Sequence, residues 1–144
     1  MTATVFVLNG PNLNLLGMRE PDIYGRDTLD DIAAMLTERA AQLDLQLDLR
    51  QSNHEGHLID WLHEAAASGA KAVILNAGGY THTSIALRDA VSAIDLPVIE
   101  VHLSDPATRE PFRRTNFLSD VCKQSISGLG AHGYILALDA AAAL

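Results

Sequence analysis

Short apolar runs alternate along this chain with longer segments whose apolar residues recur every three or four positions. Runs 4–8, 71–75 and 98–103 are mainly apolar and β-branched, which is typical of strands buried on both faces of a parallel sheet. The predicted strands cover residues 4–8, 45–51, 71–75, 98–103 and 121–125. Helical periodicity and capping residues predict helices from 27 or 28 to 43, from just after Ser52 to 68, from 83 or 84 to about 94, and within 128–144.

Two local patterns make sharper predictions. Within residues 45–51, leucine alternates with polar residues, and this period of two indicates an edge strand with one face in water. Ser52 and Glu55 precede the next helix with the spacing of a capping box. We therefore expect that helix to begin directly after Ser52.

The alternation of strands and helices predicts a parallel sheet covered by helices on both faces. Five strands favour the order 2-1-3-4-5, a flavodoxin-like, three-layer α/β sandwich formed by residues 1–144 as a single domain. In this order the switch point lies between the first and third strands. The loops after strands one, three and four are therefore expected to converge on one site.

Composition narrows the class of protein. The chain of 144 residues is 48% hydrophobic and 19% charged, which is ordinary for a globular domain. Its formal charge of −8 argues against nucleic acid or an anionic membrane as a partner. No apolar stretch is long enough to span a bilayer and no leader segment is recognisable. The single cysteine suits a reducing compartment, so we expect a cytoplasmic protein.

The candidate chemistry lies where the predicted strands end. Residues 8–25 follow the first strand and contain three Asn, three Gly, two Pro, one Arg and one Tyr, far more than a connector of about 4–6 residues requires. The polar residues that follow the three central strands are Asn9, Asn12, Arg19 and Tyr24; Asn76, Gly78 and His82; and Glu100, His102 and Ser104, with Arg109 and Arg113 beyond. Arginines suit an anionic ligand, and tyrosine, histidine and glutamate suit acid–base chemistry. Each residue singly also fits a structural role.

Other signatures carry less weight. Residues 128–133 match the dinucleotide-binding glycine pattern only in letters, because too little chain follows for a second strand. His54, His57 and His63 lack the spacing of a helical zinc motif, and Cys122 fits a small buried hydrophobe in a strand. We expect neither a cofactor nor a metal.

Five blocks of the sequence resemble the type II 3-dehydroquinate dehydratases, the cofactor-free dehydroquinases of the shikimate pathway of aromatic amino acid biosynthesis. The blocks are Leu8–Gly25, Gln51–Gly56, Tyr80–Asp89, Ile99–Ser104 and Arg109–Arg114. They occur in the family's order and extend over nearly the whole chain. The resemblance implies a lyase that removes water from 3-dehydroquinate by anti elimination through an enolate.

The resemblance also implies a role for each matching residue. Tyr24 would be the base and Arg19 the cation that favours its ionised form, because a free tyrosine has a pKa of about 10. Asn12 would stabilise the enolate through a water molecule. His102 would protonate the departing hydroxide, with Glu100 orienting it.

The remaining matches concern binding and assembly. The residues implied to hold the substrate are Asn76, Gly78, His82, the backbone at Leu103 and Ser104, and Arg113. Asp89 matches a position that completes a neighbouring subunit's pocket, and the family's assembly is a homododecamer, a tetramer of trimers. The chain has Ala77 and Gly79 in a loop that usually contains proline, and Pro106 at a usually non-proline position, which bears on Arg113.

Two other interpretations remain open at this point. A non-catalytic flavodoxin-like module could bind a small anion or a flavin phosphate, although the loop after the first strand has little of the Ser/Thr/Gly content expected for flavin. A catalytically inactive relative could serve as an oligomeric scaffold. The presence of Tyr24, Arg19 and His102 argues against the scaffold.

Overall fold

The computed structural model describes residues 2–144 and contains one parallel sheet of five strands in the order β2-β1-β3-β4-β5. The strands are β1 (Ala3–Asn9), β2 (Leu45–Gln51), β3 (Ala72–Asn76), β4 (Val98–Val101) and β5 (Gln124–Ile126). The helices are α1 (Pro21–Tyr24), α2 (Leu29–Gln42), α3 (Glu55–Ala67), α4 (Ile85–Ala93) and α5 (His132–Ala142). The predicted fold class and strand order are confirmed, although β5 begins later than predicted.

Helices cover the sheet on both faces because the side chains of the central strands alternate in direction. Val5 and Val7 of β1 belong to one apolar cluster, together with the buried stripes of α2 and α5. Phe6 and Leu8 of the same strand belong to a second cluster, with the stripes of α3 and α4. Two cores therefore enclose the central strands. Within residues 2–144, no helix combines the length and hydrophobicity that crossing a membrane requires.

The edge strand β2 is less exposed than its alternation predicts. Arg50 lies over the rings of Phe6 and Trp61, with its guanidinium carbon 5.0 and 5.5 Å from the ring centres. The same guanidinium bonds to Asp48 at 2.8 Å and to Glu64. The edge position of β2 is confirmed. Its polar face is only partly in water at Arg50, because the long side chain reaches the aromatic side chains beside the sheet and stacks on them.

The start of α3 also differs from its prediction. His54, not Ser52, is the Ncap residue, and no side chain caps this helix. The Ser52 hydroxyl accepts a hydrogen bond from the His54 amide at 3.0 Å and lies 2.7 Å from Nδ1 of His57. The Glu55 carboxylate accepts from the hydroxyl of Ser84, which caps α4. The capping box was therefore a wrong prediction, because the carboxylate is engaged by another helix.

The ends of β1 and β3 meet at the switch point with almost no space between them. The Gly10 amide donates to the Asn76 carbonyl at 2.8 Å. A Cβ atom on Gly10 would lie 2.6 Å from the carbonyl oxygen of Ala77, closer than a nonbonded contact permits. Glycine is therefore required here by the close approach of two backbones.

Replacing this glycine should destabilise the fold. We expect Gly10→Ala to lower the free energy of unfolding by about 1–3 kcal/mol, the usual cost of overpacking, because the clash is with backbone. Gly56→Ala is the matched control: its Cβ would meet nothing within 4 Å, and alanine stabilises a helix by roughly 0.5–1 kcal/mol. Urea unfolding of both variants measures the difference. Equal stability of the two variants would contradict the prediction.

Candidate active site

A cleft of about 260 Å³ lies at the carboxyl ends of β1, β3 and β4, which confirms the predicted convergence of their loops. All of the predicted site residues line it except Asn9, Glu100 and Asp89. The lining residues are Pro11, Asn12, Leu13, Arg19, Tyr24, Asn76, Gly78, Gly79, His82, Thr83, His102, Leu103, Ser104, Pro106, Arg109, Phe112 and Arg113.

Tyr24 lies beside two cations in this cleft. Its ring centre is 4.3 Å from the guanidinium carbon of Arg19 and 4.9 Å from that of Arg109. Tyr24 is the last residue of the single-turn helix α1, which follows Glu20 in a left-handed conformation (φ 39°). Non-glycine residues seldom adopt this conformation, so the turn that presents Tyr24 carries backbone strain.

Arg109 was among the candidate anion-binding residues of the sequence, but the resemblance assigned it no catalytic or binding role. Its Nη1 atom donates to the Ser104 hydroxyl at 3.3 Å. Its Nε atom is buried without a hydrogen-bond partner among residues 2–144, and the nearest acid, Glu110, lies 3.8 Å away. Arg109 lines the cleft, so its positive charge favours an anionic ligand there. The sequence placed Arg109 near the site but gave no sign that it would reach Tyr24.

His102 and Glu100 form a buried pair at the end of β4. The Nε2 atom of His102 lies 2.6 Å from the Glu100 carboxylate, which is 0% exposed. Glu100 also accepts from Nδ2 of Asn116 at 2.8 Å and from the Ser125 hydroxyl at 2.5 Å. A carboxylate can only accept hydrogen bonds, so Nε2 of His102 carries the hydrogen that points to Glu100. Nδ1 is the ring nitrogen that Glu100 does not engage. Asn116 and Ser125 were not predicted, since neither belongs to a recognisable motif.

The environment of Glu100 favours its ionised form. Burial is the largest influence and acts to raise the pKa of this carboxyl group. The hydrogen bond and charge of His102, together with the bonds from Ser125 and Asn116, outweigh burial and hold the pKa of Glu100 below its ordinary value. The buried side chain is therefore an anion that fixes the histidine.

Backbone and side-chain bonds position the remaining polar groups. Asn12 has a left-handed backbone (φ 69°), and its backbone amide donates to Oδ1 of Asn53 at 3.0 Å. Nδ1 of His82 lies 2.7 Å from the Thr115 carbonyl. Asn76 donates from Nδ2 to the Tyr134 hydroxyl at 2.9 Å. Each contact engages one polar group of the residue. The residue's other polar atoms can contact a ligand in the cleft.

The backbone at Leu103 and Ser104 lies at the cleft, whereas Asp89, the residue predicted to complete a neighbouring subunit's pocket, lies away from it. The carbonyls of Leu103 and Ser104 accept from the amides of Gly130 and Gly128 at 3.0 and 3.1 Å, which fixes this turn at the edge of the cleft. Asp89 is exposed on α4 and does not line the cleft of its own chain. Asp89 is therefore not part of its own chain's cleft.

The other residues considered in the sequence do not enter the cleft. Cys122 precedes β5 instead of lying in a strand, and it is half-buried. Burial, with smaller effects of Glu100 and Asp120, raises the pKa of its thiol to about 12. Among residues 2–144, no group of three or more His, Cys, Asp or Glu side chains is arranged to hold a metal ion.

The cleft as a whole is cationic in a chain that is strongly acidic overall. Arg19, Arg109 and Arg113 line it, whereas the formal net charge is −8. It combines a tyrosine beside two cations with a histidine on a buried carboxylate. These groups can bind a small anion and move protons to and from it.

Comparisons with known proteins agree on one family. The family model described as dehydroquinase class II matches residues 3–142. A 3-dehydroquinate dehydratase of Hyphomonas neptunium is 58% identical, covering 98% of this chain and 94% of that protein. One of Rhizobium johnstonii is 56% identical, covering 97% and 96%. The crystal structure of type II dehydroquinase from Butyrivibrio crossotus superposes with a TM-score of 0.95 at 40% identity, covering 97% of each chain.

The sheet order and the acid–base groups at its switch point define a flavodoxin-like α/β enzyme. The chain belongs to the class II dehydroquinase family, and it is accordingly a hydro-lyase. The resemblance read from the sequence blocks is confirmed.

The buried anion gives a pH-dependent prediction. At neutral pH we expect Glu100→Gln to lower the free energy of unfolding by about 1.5–3 kcal/mol, as for hydrogen bonds to a charged group. The folded-state pKa of Glu100 is lowered from 4.5. Its contribution is therefore complete above the unfolded-state pKa and is lost as the pH falls through the folded-state pKa.

Urea unfolding from neutral pH to about pH 3 measures this difference, which should narrow on acidification. Glu38→Gln changes an exposed carboxylate and serves as the control. A wild-type advantage that stays constant down to the lowest pH would contradict the ionised state of Glu100.

Proposed function

We propose that this chain is a 3-dehydroquinate dehydratase that removes water from its substrate by anti elimination through an enolate, without a cofactor. The observation that carries the proposal is the pair of proton-transfer groups in one cationic cleft. Tyr24 lies 4.3 Å from the Arg19 guanidinium carbon, and His102 lies 2.6 Å from the buried Glu100 carboxylate. Family membership supports the same substrate.

In the first step Tyr24 removes the proton next to the substrate's ketone. A free tyrosine has a pKa of about 10, so a phenolate at neutral pH requires nearby positive charge. Arg19 and Arg109 supply that charge on the ring of Tyr24. Two cations also favour the binding of an anionic substrate in the same cleft.

The electron pair of the broken C–H bond moves onto the ketone oxygen to give the enolate. We assign Asn12 to stabilise this oxygen through a water molecule, as in the implied family mechanism. The hydrogen bond from the backbone amide of Asn12 to Asn53 supports this role, since it holds Asn12 in its left-handed conformation before substrate arrives. Preorganised donors stabilise a transition state without reorganisation cost.

In the second step the enolate collapses, a C=C bond forms, and the C–O bond to the departing hydroxyl breaks. His102 donates a proton from Nδ1 to that hydroxyl, which leaves as water. Glu100 accepts from Nε2 and stabilises the imidazolium that carries the proton to be donated. Solvent then removes the proton gained by Tyr24 and returns one to His102, which restores both groups.

Substrate binding falls to the other cleft residues. We assign Arg113 and the backbone amides of Leu103 and Ser104 to the carboxylate, and Asn76 and His82 to hydroxyl groups. Pro106 stands where the family usually has another residue, but Arg113 still lines the cleft. Its Nε donates to the Glu110 carboxylate at 3.0 Å. Pro106 begins a short 3-10 turn ahead of the arginines.

Assembly, pathway and location extend the proposal. We expect a homododecamer, a tetramer of trimers, in which Asp89 of one subunit completes a neighbour's site. The exposure of Asp89 on α4 is compatible with this role. We place the reaction in the shikimate pathway and the enzyme in the cytoplasm.

The first test is catalytic. Purified protein given 3-dehydroquinate should form the conjugated enone 3-dehydroshikimate, which is followed by its ultraviolet absorbance. Borohydride added with substrate should leave activity intact, because the proposed mechanism forms no lysine Schiff base. Absence of product at every pH would contradict the function, and inactivation by borohydride would contradict the assignment of Tyr24.

The second test addresses the base. Tyr24→Phe removes only the hydroxyl, so we expect kcat to fall by about 10²–10⁴-fold, the usual contribution of a general base. Substrate affinity, measured by calorimetry on the variant, should stay close to that of the wild type. Arg39→Lys, at an arginine that pairs with Asp139 outside the cleft, serves as the control. Normal turnover by Tyr24→Phe would place the base elsewhere.

A further inference from the structure

Three buried side chains form a hydrogen-bonded row that leads inward from the cleft. The Tyr134 hydroxyl lies 2.9 Å from Nδ2 of Asn76 and 2.6 Å from Oδ1 of Asn9. The exposed fractions of Asn76, Tyr134 and Asn9 are 3%, 0% and 2%. Asn76 lines the cleft, whereas Tyr134 and Asn9 do not. The proposed mechanism has no role for Tyr134.

Backbone groups at the two ends of the row set its direction. The Gly78 amide can only donate, and it lies 3.2 Å from Oδ1 of Asn76. The Arg50 carbonyl can only accept, and it lies 3.3 Å from Nδ2 of Asn9. The orientations of both side-chain amides therefore follow from groups whose polarity cannot change.

Between these two amides the row needs a group that accepts on one side and donates on the other. A hydroxyl does both. The Tyr134 hydroxyl gives its only hydrogen to Asn9 and accepts one from Asn76. Burial, partly offset by the bond from Asn76, raises the pKa of Tyr134 above its ordinary range, so the hydroxyl keeps that hydrogen. Nδ2 of Asn76 then has one N–H left for a ligand in the cleft.

We propose that Tyr134 is a positioning residue that fixes the Asn76 side-chain amide with a free N–H towards the cleft, so that this point of the site selects an oxygen acceptor on the substrate. A hydroxyl or carboxylate oxygen meets this requirement, whereas a group that can only donate hydrogen bonds does not. The inference rests on the proposed function, because it concerns how the same cleft recognises 3-dehydroquinate.

The sheet makes Asn76 dependent on this contact. Asn9 and Asn76 are register partners at the ends of β1 and β3. Without the hydroxyl, Oδ1 of Asn9 and Nδ2 of Asn76 each lose the buried partner that they have in the wild type. Leaving buried polar groups unpaired is costly, so we expect Asn76 to shift towards Asn9 and away from the substrate.

The test separates binding from chemistry. We expect Tyr134→Phe to raise KM for 3-dehydroquinate about three- to tenfold, the equivalent of one neutral hydrogen bond, and to keep kcat within about twofold. Leu138→Ala is the control for general destabilisation, since Leu138 is fully buried in α5 and belongs to the apolar core. It should lower the melting temperature and leave KM unchanged.

A double-mutant cycle tests whether Tyr134 acts through Asn76. In an Asn76→Ala background, Tyr134→Phe should have no further effect on KM. An unchanged KM in the single variant, or the same fold-rise in both backgrounds, would overturn the inference. If Tyr134→Phe does not fold, Asn9→Ala removes the acceptor at the other end of the row. It should also raise KM, and an unchanged KM there would overturn the inference.

A readout without turnover keeps this inference separate from the proposed function. In the wild type, hydrogen exchange should be slow by NMR for the Asn76 side-chain N–H that bonds Tyr134, and this exchange should accelerate in Tyr134→Phe and not in Leu138→Ala. Equal acceleration in both variants would overturn the inference. An inactive wild type with the expected exchange pattern would contradict the dehydratase function alone.

Discussion

The active site depends on how closely β1 and β3 approach each other where they end. Asn9 and Asn76 are register partners, and the Gly10 amide bonds the Asn76 carbonyl just beyond them. The loops that follow the two strands both line one cleft, as expected at a topological switch point. Tyr24 and Asn76 then lie in one cleft because two backbones pack together with no side chain between them.

A second constraint is the charge of Glu100 inside the sheet. An isolated buried carboxylate is costly, and it persists only where hydrogen bonds replace water. Donors come from His102, from Asn116 in the loop before β5, and from Ser125 within β5. The short edge strand therefore contributes to the site as well as to the sheet. The same bonds that stabilise the anion also orient the histidine.

Apolar patterns predicted the central strands well, because burial on two faces leaves a strong signal in the sequence. The alternation of strands with helices, and the number of strands, predicted their order. The predictions that failed involve contacts between distant elements. Arg50 alternates like a solvent-facing residue but stacks on Trp61, and Glu55 bonds Ser84 instead of closing a capping box. Arg109 reaches Tyr24 only through tertiary folding. The local sequence pattern does not indicate which partner a long polar side chain will contact in the folded protein.

The helix that presents Tyr24 has a consequence for temperature. Helix α1 is a single turn of four residues, none of them buried, and it follows a strained Glu20. Segments with few buried contacts open at a free-energy cost well below that of global unfolding. On warming, this turn should therefore detach while the sheet and both cores remain intact. Heat would abolish turnover before it melts the protein, and the loss would reverse on cooling.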